Sequence, residues 1–184
     1  WSFPGHVVVP TAGASLINKV LKAFQEFHAT GLVDSEPNAS IYAAQAAGCA
    51  PVSNAVINGW QRVRPIPSVE INTIAKSLAI GNPADGNAAL KTIRSSGGYA
   101  AAVTDEEIIG GIELLAQTEG IWGETAAGVT VASAKKLIEQ GKIPTNDGSI
   151  VLLITGDGYK TPDANSKKGL DVVIDSTTKE FDEF

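Results

Sequence analysis

Small residues fill the segment from Pro10 to Leu16 (PTAGASL), between an apolar run and a segment of helical period. A turn of this composition lets successive backbone N–H groups and a helix N-terminus point at one anion, which makes it a candidate phosphate site. The sequence has neither the GxGxxG pattern of dinucleotide-binding folds nor the GxxxxGK[ST] pattern of P-loops. The alternative is a tight turn in which Ala and Gly serve packing.

A hydroxyl ends the most apolar run of the chain, Ser149 to Thr155 (SIVLLIT). We expect this run to form the most buried strand of a sheet. Ligands of open α/β sheets bind outside the carboxyl ends of the strands, so Thr155 is well placed to offer its hydroxyl to a ligand. The alternative is a Gly-flanked turn in which Thr155 satisfies the local backbone.

A carboxylate, Glu124, precedes a run of small residues that begins a helix in GIWGETAAGVT. The helix dipole favours an acid there, so one interpretation is purely structural. The other is a buried, functional glutamate.

The elements that must position these residues follow from hydrophobic periodicity, which predicts an α/β fold with a mostly parallel sheet flanked by helices. Thr104, followed by three acidic residues, predicts a capped helix start. The predicted strands are His6 to Pro10, Ile41 to Ala47, Tyr99 to Val103 and Ser149 to Thr155. The predicted helices are Leu16 to His28, Pro51 to Trp60, Glu70 to Leu78, Asn87 to Ser96, Asp105 to Gln117 and Ala126 to Gln140.

Composition excludes several classes of function. The 184 residues carry a formal net charge of −6, so the chain lacks the basic surface with which proteins bind nucleic acid. No apolar stretch approaches the length of a membrane span, and no signal peptide is recognisable. One cysteine, Cys49, and two histidines do not make a Cys- or His-based metal site.

Five segments, in order, closely resemble the threonine synthases, which are pyridoxal-phosphate enzymes of the fold type II (tryptophan-synthase-β) superfamily. The segments are VVVPTAGASLINKVLKAFQEF, GLVDSEPNASIYAAQAAGCAPV, IAKSLAIGNPADG, EGIWGETAAGVTVASAKKL and LLITGDGYK. The resemblance covers roughly residues 1–160 and implies an incomplete large, cofactor-binding domain. Residues 161–184 are polar and are expected to form a surface tail or an edge element.

The resemblance also implies roles for individual residues around the cofactor, pyridoxal 5'-phosphate. Thr155 matches the ligand of the pyridine nitrogen, Glu124 matches an acid beside the cofactor, and the backbone from Ser77 to Ile80 would border its ring. The family's phosphate loop usually contains more glycine than this one. The residues whose backbone amides hold the cofactor phosphate in the family align with Ala12, Gly13, Ala14, Ser15 and Leu16.

No catalytic residue is assigned, because the Schiff-base lysine of this superfamily lies upstream of the phosphate loop and none of the 11 lysines occupies its motif. The sequence is therefore interpreted as the C-terminal part of an enzyme that converts O-phospho-L-homoserine and water to L-threonine and phosphate, and the isolated fragment is expected to be inactive. The alternatives are another fold type II enzyme, such as a threonine or serine dehydratase, and a non-catalytic α/β binding module. Expected partners are the substrate, the missing N-terminal part and a second copy in a homodimer. The expected location is the cytoplasm, or the plastid in a plant.

Overall fold

A four-stranded parallel sheet forms the centre of the computed structural model, which describes residues 2–146 and 148–165. The strands are β1 (His6–Pro10), β2 (Ser40–Ala46), β3 (Ala100–Val103) and β4 (Ile150–Leu152). They stand in the order β3-β2-β1-β4. Because every pairing is parallel, all four strands end at the same edge of the sheet. The α/β fold class is thus confirmed.

Helices cover both faces of the sheet. They are α1 (Ser15–Ala29), α2 (Pro51–Ile57), α3 (Gly86–Ser95), α4 (Asp105–Glu119) and α5 (Thr125–Glu139). Side chains alternate along a strand, so Val7 and Val9 pack with α1, α2 and α3, whereas Val8 packs with α4 and α5. This three-layer arrangement buries β1 on both faces, which explains the apolar run within it.

Two glycines let α4 and α5 pack at close range. A Cβ atom on Gly111 would lie 2.4 Å from the carbonyl oxygen of Gly128, and a Cβ on Gly128 would lie 2.4 Å from that of Ile108. Because α5 also contacts β1, β2 and β3, it lies against the sheet while α4 packs on α5. The Glu124 N–H, at the start of α5, donates to the Gly156 carbonyl beyond β4, so the N-terminus of α5 lies at the edge where the strands end.

The predicted start of α4 at Thr104 is confirmed. The Thr104 hydroxyl accepts a hydrogen bond from the Glu107 N–H at 3.2 Å, and the Glu107 carboxylate accepts one from the Thr104 N–H at 2.7 Å. This reciprocal pair is a capping box, and it satisfies two N–H groups that a helix start leaves without partners.

The helix predicted from Glu70 to Leu78 is wrong. Only two 3-10 turns, Ser68–Glu70 and Lys76–Leu78, form there. The intervening backbone bonds to other parts of the fold, since the Asn72 N–H donates to the Gly48 carbonyl and the Ile74 N–H to the Asp105 carboxylate. Tertiary hydrogen bonds have replaced the local ones that a helix needs.

The run from Ser149 to Thr155 does not form the most buried strand. Only Ile150–Leu152 is strand, and Val151 is 38% exposed. The reason is position, because β4 is an edge strand that pairs with β1 alone among the described strands. After it the described chain ends in a 3-10 turn at Pro162–Asn165, and the rest of the predicted 161–184 tail lies outside the described residues. No helix in the described part of the chain has the length and apolar character of a membrane span.

Candidate functional site

The carboxyl end of β1 leads into the predicted small-residue corner, Thr11 to Ser15, where α1 begins. Ala14 is the N-cap residue of α1 and adopts φ +73°, the one positive φ of a non-glycine residue in the described ranges. The first backbone N–H groups of a helix have no partner within the helix, and no side chain caps them at the start of α1. The corner therefore offers an anion both backbone donors and the positive end of a helix dipole.

Asp85 connects a second loop to this corner. Its N–H donates to the Gly13 carbonyl at 3.1 Å, its carbonyl accepts from the Asn18 side chain at 3.3 Å, and its carboxylate accepts the hydrogen bond of the Ser15 hydroxyl. Asp85 is also the N-cap residue of α3, yet its side chain does not cap that helix. The carboxylate is thus committed to Ser15.

The segment before α5 runs beside the loop that follows β4. The Glu124 N–H donates to the Gly156 carbonyl at 3.0 Å, and the Gly158 N–H donates to the Trp122 carbonyl at 2.9 Å. A Cβ atom at Gly158 would lie 2.4 Å from the Trp122 ring, so this close approach requires glycine. The two segments hold each other at the edge where the strands end.

Glu124 is only 5% exposed and is the N-cap residue of α5, but its side chain makes no capping hydrogen bond. The Nζ of Lys160 lies 3.8 Å from Glu124 Oε1, and that lysine is 64% exposed. Capping therefore does not account for the position of this carboxylate. It is a buried acid with one partly solvated cation beside it.

Thr155 lies beyond the end of β4 and is exposed. Its hydroxyl makes no hydrogen bond to any residue in the described ranges. The structure therefore does not support the alternative in which the Thr155 hydroxyl bonds to the local backbone. The hydroxyl is available to a ligand.

One pocket of about 310 Å³ brings these groups together. This volume is at the lower end of the range for small-molecule sites. All eight residues predicted from the sequence line it: Ala12, Gly13, Ala14, Ser15, Leu16, Ser77, Glu124 and Thr155. The corner and Thr155 thus share one cleft, whereas the individual roles of these residues toward a cofactor stay predictions.

A sequence profile described as pyridoxal-phosphate dependent enzyme matches residues 2–156. The chain belongs to that family. Pyridoxal phosphate is the family's cofactor, which confirms the predicted cofactor class. The architecture agrees with fold type II.

The curated relatives carry the name threonine synthase. One, from Methanocaldococcus jannaschii, is 43% identical over 89% of this chain, and one from Mycobacterium leprae is 34% identical over 88% of it. The matched regions are 39% and 42% of those proteins. The chain therefore spans about two fifths of the length of the curated relatives it matches.

Solved structures share the fold at low identity. Threonine deaminase isoform 2 from Solanum lycopersicum superposes with a TM-score of 0.65 at 20% identity, over 91% of this chain and 45% of that one. A fungal L-serine ammonia-lyase from Rhizomucor miehei gives a TM-score of 0.68 at 20% identity, over 90% and 50%. At this level of identity the likeness concerns the fold and not the reaction.

The hydrogen-bonding groups of the pocket fit the phosphate and the ring nitrogen of the family's cofactor. An uncapped helix start can hold a phosphate, and the free Thr155 hydroxyl can bond to a ring nitrogen. A Cβ atom at Gly13 would meet only Ile80 Cδ1, at 3.8 Å, so nothing crowds the corner from that side.

Two residues near the site escaped the sequence analysis. Asp85 lies in the segment IAKSLAIGNPADG, but no local pattern links residue 85 to Ser15. Lys160 lies in the segment LLITGDGYK, but no local pattern links it to Glu124. Both contacts join positions far apart in the sequence, and periodicity carries no signal for such pairs.

Proposed function

We propose that this chain is the C-terminal part of a threonine synthase, which converts O-phospho-L-homoserine and water to L-threonine and phosphate with pyridoxal 5'-phosphate as cofactor. The main supporting observation is that the anion corner, Ser77, Glu124 and Thr155 line one pocket. The choice of reaction is supported by relatives that carry the name threonine synthase and match most of this chain.

The cofactor, when bound, acts as an electron sink that stabilises negative charge at the substrate carbon. The corner would hold its phosphate through the backbone amides of residues 12–16. Ser77 lies on the 3-10 turn Lys76–Leu78 and would border the ring. Together these contacts would fix the orientation of the ring, which is the main contribution of this part of the chain.

The Thr155 hydroxyl would bond to the ring nitrogen. A hydroxyl is neutral and can either donate or accept, so it does not enforce a protonated ring as a carboxylate would. The electron sink would then be weaker than one beside a carboxylate. Glu124 would contribute a buried negative charge beside the ring, partly balanced by Lys160 at 3.8 Å.

The proton transfers of the reaction need a group that this chain does not supply. In the family the Schiff-base lysine acts as that base. We propose that it lies in the missing N-terminal part of the enzyme, so that residues 1–184 by themselves are inactive. A homodimer and a cytoplasmic location, or a plastid location in a plant, belong to the same proposal.

The test uses the full-length protein loaded with the cofactor. Release of phosphate from O-phospho-L-homoserine is expected, with no comparable release of ammonia from L-threonine. Ammonia release alone would indicate a dehydratase, and failure to bind the cofactor would indicate a non-catalytic module. Residues 1–184 are expected to turn over only after the missing part is added, and turnover by the fragment alone would overturn the assignment.

A matched pair of variants tests the role of Thr155. Thr155→Val keeps the side-chain shape and removes the hydroxyl, so kcat is expected to fall at least tenfold. Thr118→Val makes the same change on the exposed end of α4, where the hydroxyl bonds only to the Leu114 carbonyl. Equal activities of the two variants would exclude the proposed bond to the ring nitrogen.

A further inference from the structure

We propose that Asp105 is a positioning residue for the cofactor ring, because it holds the segment that carries Ser77 into the pocket. This inference rests on the proposed function and names the residue that sets one wall of the same site. Asp105 is not among the residues that line the pocket. It acts through Thr73 and Ile74, which its carboxylate binds.

The wall in question is a short turn with few hydrogen bonds of its own. Ser77 and Leu78 line the pocket, and both lie on the 3-10 turn Lys76–Leu78. A turn of this kind has poorer hydrogen-bond geometry than an α-helix. Leu78 is buried in the core, whereas Ser77 is exposed toward the pocket. The position of Ser77 therefore depends on how the residues before the turn are held.

One carboxylate holds the three residues that precede this turn. Asp105 Oδ1 accepts the Thr73 hydroxyl at 2.8 Å and the Ile74 N–H at 3.2 Å. The Thr73 hydroxyl also accepts the Ala75 N–H at 3.1 Å, since a hydroxyl can donate once and still accept. Hydrogen bonds to an ionised acceptor are about twice as strong as those between neutral groups. Asp105 thus fixes the path of the chain directly into the turn.

Asp105 is itself fixed relative to the sheet. It is the first residue of α4 and follows β3 after the single residue Thr104. The cap of α4 does not need it, because Thr104 and Glu107 form the capping box. The Lys136 ammonium bonds to Glu107 at 3.0 Å and to the Ala102 carbonyl of β3 at 3.0 Å, so the start of α4 is tied to that strand. The carboxylate of Asp105 therefore relates the Ser77 turn to the edge where the strands end.

A second contact fixes where the segment enters but not its direction. The Asn72 N–H donates to the Gly48 carbonyl at 3.2 Å, and a Cβ atom at Gly48 would lie 1.6 Å from the Asn72 carbonyl oxygen. This close passage holds the chain one residue before Thr73. The next three residues then turn toward the pocket on the bonds that lead to Asp105.

Loss of the Asp105 carboxylate would leave buried donors without this acceptor. Thr73 is 2% exposed, and a buried polar group without a partner is costly, so the segment is expected to shift until its donors find other partners. Ser77 would move with it. A shift of about 1 Å in a group that orients the reacting molecule can lower the rate about a hundredfold.

The measurement is the visible circular dichroism of the full-length protein saturated with pyridoxal 5'-phosphate, divided by the amount of bound cofactor. This signal reports the asymmetric surroundings of the bound ring and not the fraction of folded protein. In Asp105→Ala we expect it to fall at least about twofold, and we expect the Kd of the cofactor to rise about fivefold.

A conservative variant separates the hydrogen bonds from the charge. Asp105→Asn removes the charge and keeps a side-chain oxygen that can accept from both Thr73 and Ile74. It is expected to return both values to within about twofold of the unmodified protein. The matched control is Glu106→Ala, which removes the neighbouring exposed carboxylate from the same helix turn. That change is expected to leave the signal and the Kd unaltered.

A second pair of variants tests the same contact from the other side. Thr73→Val keeps the side-chain shape and removes the hydroxyl that links Asp105 to Ala75, whereas Thr73→Ser keeps that hydroxyl. The valine variant is expected to show the loss seen in Asp105→Ala, and the serine variant is not. This pair decides the question if Asp105→Ala does not fold.

Three results would overturn the inference and leave the proposed function standing. One is an unaltered signal and Kd in Asp105→Ala or in Thr73→Val. The second is a loss in Asp105→Asn as large as that in Asp105→Ala, since the charge alone would then matter. The third is an equal loss in Glu106→Ala. Absence of bound cofactor in the unmodified protein would instead refute the proposed function.

Discussion

Replacement of Gly156 by alanine tests how the buried carboxylate of Glu124 is held. Gly156 does not have a positive φ, so alanine adds a methyl group without backbone strain. The new Cβ would lie 1.9 Å from Glu124 Oε1 and 2.5 Å from its Cδ. The carboxylate must therefore move by at least about 1 Å to restore van der Waals contact.

The expected cost follows from what that movement breaks. Glu124 is 5% exposed, so it has little free space, and leaving its rotamer costs about 0.5–1.5 kcal/mol. Loss of the Lys160 pair adds at most about 1 kcal/mol, because that lysine is largely solvated. Alanine reduces the freedom of the unfolded chain, which returns about 0.4–1 kcal/mol. We expect a net loss of about 1 kcal/mol in the free energy of unfolding.

Urea denaturation followed by circular dichroism measures this loss, and the cofactor affinity is expected to fall with it. Gly110→Ala is the matched control, because Gly110 lies in α4 and a Cβ there meets nothing within 4 Å. That change is expected to stabilise the protein by about 0.5–1 kcal/mol, since alanine is the better helix former.

A double-mutant cycle identifies the cause. In a Glu124→Ala background the methyl group at residue 156 no longer meets the carboxylate, so Gly156→Ala should there stabilise the protein by about 0.4–1 kcal/mol. The expected coupling between the two positions is therefore about 1.4–2 kcal/mol. An equal cost in both backgrounds would refute the steric reasoning.

Three further predictions concern the scaffold. Thr104→Ala removes the capping box of α4 and is expected to cost about 1 kcal/mol in urea denaturation, with Thr118→Ala as the unaffected comparison. Gly128→Ala places a Cβ 2.4 Å from the Ile108 carbonyl oxygen, so it should separate α4 from α5 and cost about 1–3 kcal/mol in the same assay. Burial raises the pKa of the Cys49 thiol, so an aromatic disulfide reagent at pH 8 should label it at least about a hundredfold faster in urea than in the folded protein.

Much of the fold was predictable because its signals are local. The apolar run at β1 and the helical period of α1 each lie within one short segment, and Thr104 carries its own capping partner three residues away. Most residues of the candidate site were predictable for a different reason. They occupy the carboxyl ends of parallel strands and the adjoining loops, which a parallel sheet brings to one edge. Ser77 followed only from the resemblance to the family.

The errors arise where a partner distant in sequence decides the outcome. The segment from Glu70 to Leu78 has helical composition, but the carboxylate of Asp105 and the carbonyl of Gly48 take its backbone donors. Likewise the apolar run at β4 suggested a central strand, and only the order of strands in the sheet places it at an edge. Hydrophobicity reports how apolar a strand is and not which neighbours it has.

At Ala14, a backbone conformation within one short turn depends on a partner that is distant in the sequence. Ala14 adopts the left-handed conformation at φ +73° while being 3% exposed. A non-glycine residue in that region costs about 1–3 kcal/mol and persists only where its surroundings fix the backbone. Asp85 provides that fixation, because it bonds to Gly13 on one side of Ala14 and to Ser15 on the other. Asp85 is thus the residue that lets alanine stand at this turn.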